Sequence, residues 1–239
     1  MKNTILHTAA SRGKADHGWL ISRHTFSFAD YYDPHRINFG ALRVLNDDII
    51  EAGMGFDTHP HKNMEIISIP LEGDLEHRDS MQNITVIKKG DIQVMSAGTG
   101  IKHSEYNHNN DKHCKFLQIW VLPNQQNVTP RYDQITLDPD DYHNCFQQIV
   151  SPNNNDEGVW IHQNAWFHLA EFDKDFTANY TFKDPQNGLY IFVISGTIKV
   201  DEQILAQRDG FGIWNTNKVE IQAINNAEFL LMEVPMQVL

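Results

Sequence analysis

Gly53-Met-Gly-Phe-Asp-Thr-His59-Pro60-His61-Lys-Asn-Met-Glu65, continuing as Ile66-Ile-Ser-Ile-Pro-Leu-Glu72-Gly73, is a strand-like apolar stretch bounded by glycines, with a His-x-His inside it. Glycine supplies the positive φ that tight turns need, so such punctuation marks the corners of a small antiparallel barrel. Residues two apart on a strand share a face, which puts His59 and His61 side by side. Further on, Gly90-Asp-Ile-Gln-Val-Met-Ser-Ala-Gly98-Thr-Gly100-Ile-Lys-His103-Ser104-Glu105 repeats the same grammar. On neighbouring strands the two pairs would aim three imidazoles and one carboxylate at one point. That donor set suits a divalent transition metal with open positions, the arrangement of non-heme iron chemistry.

Strand signals dominate elsewhere. Leu42-Arg-Val-Leu, Phe116-Leu-Gln-Ile-Trp-Val-Leu, Tyr190-Ile-Phe-Val-Ile and Phe229-Leu-Leu-Met-Glu-Val are short, β-branched or aromatic, and separated by Gly, Asn, Asp or Pro. Helical periodicity is scarce, so the chain reads as all-β. Leu122-Pro-Asn-Gln-Gln-Asn-Val-Thr-Pro130 has the composition of a linker, and Tyr132-Asp-Gln-Ile-Thr136 reads as a strand opening a second half. An internal repeat supports two related units, 1–125 and 126–239. Ile194-Ser-Gly-Thr aligns with Leu71-Glu-Gly-Asp, and Arg208-Asp-Gly-Phe-Gly-Ile-Trp with Lys89-Gly-Asp-Ile-Gln-Val-Met.

The net charge of −12 would repel a phosphate backbone, so direct nucleic-acid binding is not expected. Cys114 and Cys145 fit neither a disulfide framework nor a C-x-x-C site and are expected to be reduced thiols. No apolar run approaches a membrane span, and Met1–Ala10 carries no secretory pattern. We therefore expect a cytoplasmic monomer. There is no P-loop, no G-x-S-x-G elbow and no H-E-x-x-H.

Spacing leaves the carboxylate ligand open, because Glu65 is four residues past His61 and Glu105 two past His103, both inward by strand parity. Asp57, His77, Arg78 and Asp79 read as a satisfied polar turn, and a role behind the metal ligands is left open for them without being assigned. Phe26, Phe28, Phe56 and Met54 could line an apolar pocket above the metal. In the second half, the aligned ligand positions fall at Phe182, Asp184 and Gly188, with Gln222 opposite His103. These make no ligand cluster. His162 and His168 lack a partner at motif spacing and read as surface or half-buried polar residues.

The quoted stretches resemble the cupin superfamily. Gly53, His59, His61, Glu65 and Gly73 fit its first motif with one extra residue before Gly73, and His103 fills the histidine of its second. His59-Pro-His61, Leu71-Glu-Gly-Asp-Leu-Glu-His77-Arg-Asp-Ser80 and Met95-Ser-Ala-Gly-Thr-Gly-Ile-Lys-His103-Ser-Glu105 are similar to the pirin family within it. Upstream, His17-Gly-Trp-Leu and His24-Thr-Phe-Ser-Phe-Ala-Asp-Tyr-Tyr-Asp-Pro34 resemble its bacterial branch, which includes quercetin 2,3-dioxygenases. The resemblance implies a bicupin of two jelly-roll barrels with metal in the first alone. It implies His59, His61, His103 and Glu105 as ligands, with Glu105 also a proton acceptor and Glu65 behind a ligand histidine. The metal would be one divalent ion, Fe(II) first, with Ni, Cu, Mn, Co or Zn as alternatives. The implied activity is O₂-dependent cleavage of a flavonol such as quercetin, with release of carbon monoxide. The alternative is a non-enzymatic metal- or redox-sensing protein that binds a protein partner, the role that animal pirins suggest.

Overall fold

The computed structural model describes residues 2–237. Within them the regular structure is strand, apart from two three-residue 3-10 turns at Ala9–Ser11 and Pro139–Asp141. The strands form two sandwiches, each of one seven-stranded and one four-stranded sheet.

The two sandwiches share a plan. In the first, the large sheet runs in the order Arg131–Thr136, Asp91–Ser96, Glu65–Glu72, Cys114–Val121, Leu42–Ile50, Leu20–His24, Gly13–Asp16. In the second it runs Asn3–His7, Gly210–Trp214, Asn187–Ser195, Ala227–Pro235, Trp166–Phe172, Gln147–Ser151, Val159–Trp160. The aligned glycines of the repeat, Gly73 and Gly196, take nearly the same left-handed conformation, φ +76° and +77°. A Cβ at either would strike backbone, at His113 and at Asn226 respectively, so only glycine closes this turn.

The two halves exchange an edge strand. Asn3–His7 pairs antiparallel with Gly210–Trp214 and completes the second sandwich's sheet. Arg131–Thr136 pairs with Asp91–Ser96 and completes the first. The strand at Tyr132 therefore does not open the second half's sheet, as its position after the linker suggests. Both exchanges cap a sheet edge that would otherwise present unpaired backbone groups.

The large sheets pack face to face, and this alone explains strands with no polar face. In Cys114–Val121, Leu117, Ile119 and Val121 enter a core shared with Phe167, Tyr190, Phe192, Leu230 and Met232 of the second half. The alternate residues, Cys114 and Phe116, face the interior of the first sandwich. The second sandwich is filled by its own apolar cluster, including Phe172, Tyr180, Leu189, Ile191, Val219, Ile221 and Phe229. The first holds only two small clusters, one around Leu20, Ile50, Leu75, Ile87 and Phe116 and one around Ile66, Met95 and Ile101. Buried polar side chains also occupy this interior.

Candidate metal centre

The four-stranded sheet of the first sandwich runs Gly55–His61, Ile101–Asn107, Asp74–Asp79, Ile84–Lys88. His103 lies directly opposite His59, and Ile101 opposite His61, so period-2 alternation turns all three imidazoles inward. Ring centroids are 4.5 Å apart for His59 and His103, 4.9 Å for His59 and His61, and 4.9 Å for His61 and His103. One donor nitrogen from each lies within 4.8 Å of the others. The register slips between His103 and Glu105, a bulge that sets Glu105 across from Phe56.

Hydrogen bonding and burial single out one nitrogen in His59 and in His103. His59 Nδ1 donates to the Asp57 carbonyl at 2.7 Å, which leaves Nε2 as its lone pair. His103 is 2% exposed, and its Nε2 has no partner. Burial, followed by repulsion from His103 and His59, lowers His61 to about 4. Burial, His59 and His77 lower His103 to about 3. Both are therefore neutral near pH 7, the form that ligates metals. An orphaned, buried, neutral imidazole nitrogen in a cluster of three fits a divalent cation of the borderline class.

Glu105 is held from behind by the large sheet. Gln118 Nε2 donates to its Oε2 at 2.6 Å, and Ser68 Oγ lies 3.0 Å from its Oε1 and 3.1 Å from Gln118 Oε1. The carboxylate lines the same cavity as His59 and His61. Glu65 does not. It is buried on the large sheet, accepts from Ser96 Oγ at 2.6 Å, and is raised to about 7 by burial. Strand parity cannot make this distinction, because inward on the large sheet and inward on the small sheet are different places.

The cavity has a volume of about 280 Å³. Its apolar wall includes Leu20, Phe28, Phe56 and Trp120. Trp120 packs edge-on to His61 at 4.9 Å and to Phe28 at 5.3 Å. Of the four apolar residues named from sequence, Phe28 and Phe56 line it. Phe26 belongs to the core between the sandwiches, and Met54 is exposed. Ser22, His24, Asn46 and Asp48 form a polar wall that the motifs did not reveal. Asp48 accepts from Ser22 Oγ, and burial raises it to about 7. Its signal lay in the strand Leu42–Ile50, where Asn46 and Asp48 interrupt an apolar run at i and i+2.

His77 and Asp79 are not a turn; both lie on the strand Asp74–Asp79. His77 is fully buried and Nε2 lies 3.2 Å from Asp79 Oδ2. In the second sandwich the strand matching Gly55–His61 is Thr177–Thr181, not the stretch around Phe182 and Asp184. Counting back from the repeated glycine stops short of that strand because the loop after it is longer, 182–186 against 62–64. Tyr180 points into an apolar core, and Asp184 accepts from Asn164 Nδ2 at 3.0 Å. His162 is half-buried, as expected, but His168 is only 4% exposed and sits 3.5 Å from Tyr180 OH. Among the described residues His59, His61 and His103 form one close group of donors, and Glu105 groups instead with His77 and His103; both groups lie in the first sandwich. Cys114 and Cys145 are free thiols, and among the described residues no helix is long and apolar enough to cross a membrane.

Two jelly-roll sandwiches in tandem, with a histidine cluster on the small sheet of the first, define a bicupin. The comparisons narrow this class. A family model described as Pirin matches residues 6–121, and one described as Quercetinase C-terminal cupin domain matches residues 148–234. Quercetin 2,3-dioxygenase of Escherichia coli is 42% identical over 96% of this chain and 98% of its own length. The crystal structure of YhhW from Escherichia coli superposes with a TM-score of 0.93 at 41% identity, covering 98% of each chain. The structure of bacterial pirin YhhW in complex with nickel(II) gives 0.92 at 40% identity, covering 98% of this chain and 99% of that one. The chain belongs to the pirin family.

Proposed function

We propose that this protein is a metal-dependent dioxygenase that cleaves the heterocyclic ring of flavonols such as quercetin with O₂, releasing carbon monoxide. The observation that carries the reading is the orphaned Nε2 of His103 beside His59 and His61, which themselves line an aromatic-walled cavity. The relatives named quercetin 2,3-dioxygenase support the substrate class. A nickel(II) complex of a similar pirin supports a divalent metal. In this reading His59, His61, His103 and Glu105 hold one divalent transition metal, with Fe(II) as the first candidate. The bound metal would act as a Lewis acid toward an enolic oxygen and provide a site for O₂ chemistry.

The chain's own residues supply the rest. Phe28, Phe56 and Trp120 exclude water and present flat apolar faces to an aromatic substrate. Glu105, tethered by Gln118 and Ser68, is placed to accept the flavonol 3-hydroxyl proton at a carboxylate oxygen. Asp48 and Asn46, on the polar wall, offer hydrogen-bonding groups to the substrate's remaining hydroxyls.

The test is turnover by protein loaded separately with iron, nickel, copper and manganese. Loss of the flavonol absorbance band, with carbon monoxide in the headspace, is expected for at least one metal. It should be absent in His103→Ala with the fold intact. Failure with every metal would reject the enzyme and favour a metal-sensing role at the same site.

A further inference from the structure

We propose that the buried pair His77 and Asp79 is a positioning relay that fixes the tautomer of His103 and so exposes its Nε2 to the metal. The inference rests on the reading of His103 as a ligand. It adds two residues that do not touch the metal in that reading.

The relay follows from strand register. Asp74–Asp79 pairs with Ile101–Asn107 so that His77 faces Glu105 and Asp79 faces His103. His77 and His103 are thus diagonal neighbours on the inward face, with ring centroids 5.3 Å apart. Asp79 collects four donors. Oδ1 accepts from Met81 N at 2.8 Å and Asn83 N at 3.1 Å. Oδ2 accepts from Asn83 Nδ2 at 2.8 Å and faces His77 Nε2 at 3.2 Å. A carboxylate that only accepts requires the proton to sit on His77 Nε2. With its proton on Nε2, His77 presents the Nδ1 lone pair toward His103 Nδ1, 3.5 Å away. The proton on that side must therefore belong to His103 Nδ1, and the His103 lone pair is left on Nε2. That is the buried atom with no partner in the protein. The Tyr132 ring packs on His77 with centroids 4.8 Å apart and a 36° tilt between the planes, which limits rotation of the imidazole. The 3.5 Å step is long, so the relay acts mainly by selecting the tautomer. Groups behind a ligand histidine commonly do so.

Asp79→Asn tests the relay because it inverts it. Its amide N–H would face His77 Nε2 and move the His77 proton to Nδ1. His103 would then accept at Nδ1 and carry its proton on Nε2, where the metal must bind. Nitrogen–proton correlation spectra of the metal-free protein should show His103 protonated at Nδ1 in the wild type and at Nε2 in Asp79→Asn. Nickel(II) affinity, by chelator competition, should fall ~10–100-fold. His77→Leu should lose a similar factor without disturbing the Asp79 turn. His77→Asn, which restores an acceptor near the Nδ1 position, should recover most of it. A wild-type His103 protonated at Nε2 would overturn the proposal. So would nickel affinities of both His77→Leu and Asp79→Asn within about twofold of wild type, or a zinc-loaded spectrum with a His77 nitrogen coordinated. If Asp79→Asn does not fold, the wild-type tautomer and the two His77 variants decide. Absence of metal binding in the wild type would remove the metal centre but leave the tautomer result standing.

Discussion

Replacing Glu105 with glutamine separates the two carboxylates that spacing left equivalent. The substitution keeps shape and removes one negative charge. The new amide fits the existing network. Its oxygen can accept from Gln118 Nε2, its nitrogen can donate to Ser68 Oγ, and Ser68 can turn its proton to Gln118 Oε1. The fold should therefore survive, and the effect should fall on the cation. A carboxylate charge about 4 Å from a divalent cation contributes about 8 kcal/mol at an effective dielectric of about 20. Solvent reaching the open side of the cavity screens this to ~3 kcal/mol, about 100-fold in affinity. Glu65 bonds Ser96 on the large sheet and does not line the cavity, so Glu65→Gln should stay within about twofold. Chelator competition with nickel(II) at fixed pH measures both, and thermal melts confirm folding. Equal affinity for Glu105→Gln and wild type, or a larger loss for Glu65→Gln, would refute the assignment.

Tyr190→Phe should cost about 1–3 kcal/mol, because Tyr190 OH is the 2.8 Å partner of buried His7 Nδ1. Metal content should not change, since this tie joins the N-terminal strand to the second sandwich; a drop in metal would contradict the strand exchange. Stability of the metal-free protein should fall on acidification. Burial lowers His7, His24 and His61 to about 4 and His103 and His168 to about 3, so these rings gain protons below about 6.5 only on unfolding. Asp48 and Glu65, raised to about 7, oppose this by holding protons in the native state. Near pH ~5.5 the unfolded chain still binds about two to three more, so denaturant melts should weaken from about pH 6.5 toward 4.5. Rising stability over that range would contradict it. Asp48→Asn isolates the opposing effect. Wild type loses stability as pH rises from about 4 to about 7 through this carboxyl, and the amide does not. The melting-temperature difference should shift toward Asp48→Asn across that window and level off above it; a constant difference would refute the buried-acid reading.

Local chemistry made much of this protein legible from its residues. Alternation and glycine punctuation marked the strands, and Gly73 and Gly196 marked the same turn in both halves, because a left-handed turn against backbone admits no side chain. The His59, His61 and His103 cluster was readable because period-2 alternation and one strand pairing suffice to converge the rings. What depends on which strands become neighbours was not readable. The edge strands Asn3–His7 and Arg131–Thr136 cross between halves, since backbone pairing is indifferent to sequence distance. Glu65 and Glu105 share a parity but sit on different sheets, so only the sandwich could part them. Loop length shifted the second-half counterpart from Asp184 to Thr177–Thr181. The polar wall at Asn46 and Asp48 and the relay at His77 and Asp79 exist only because the sandwich closes over them and removes the water that would otherwise satisfy them.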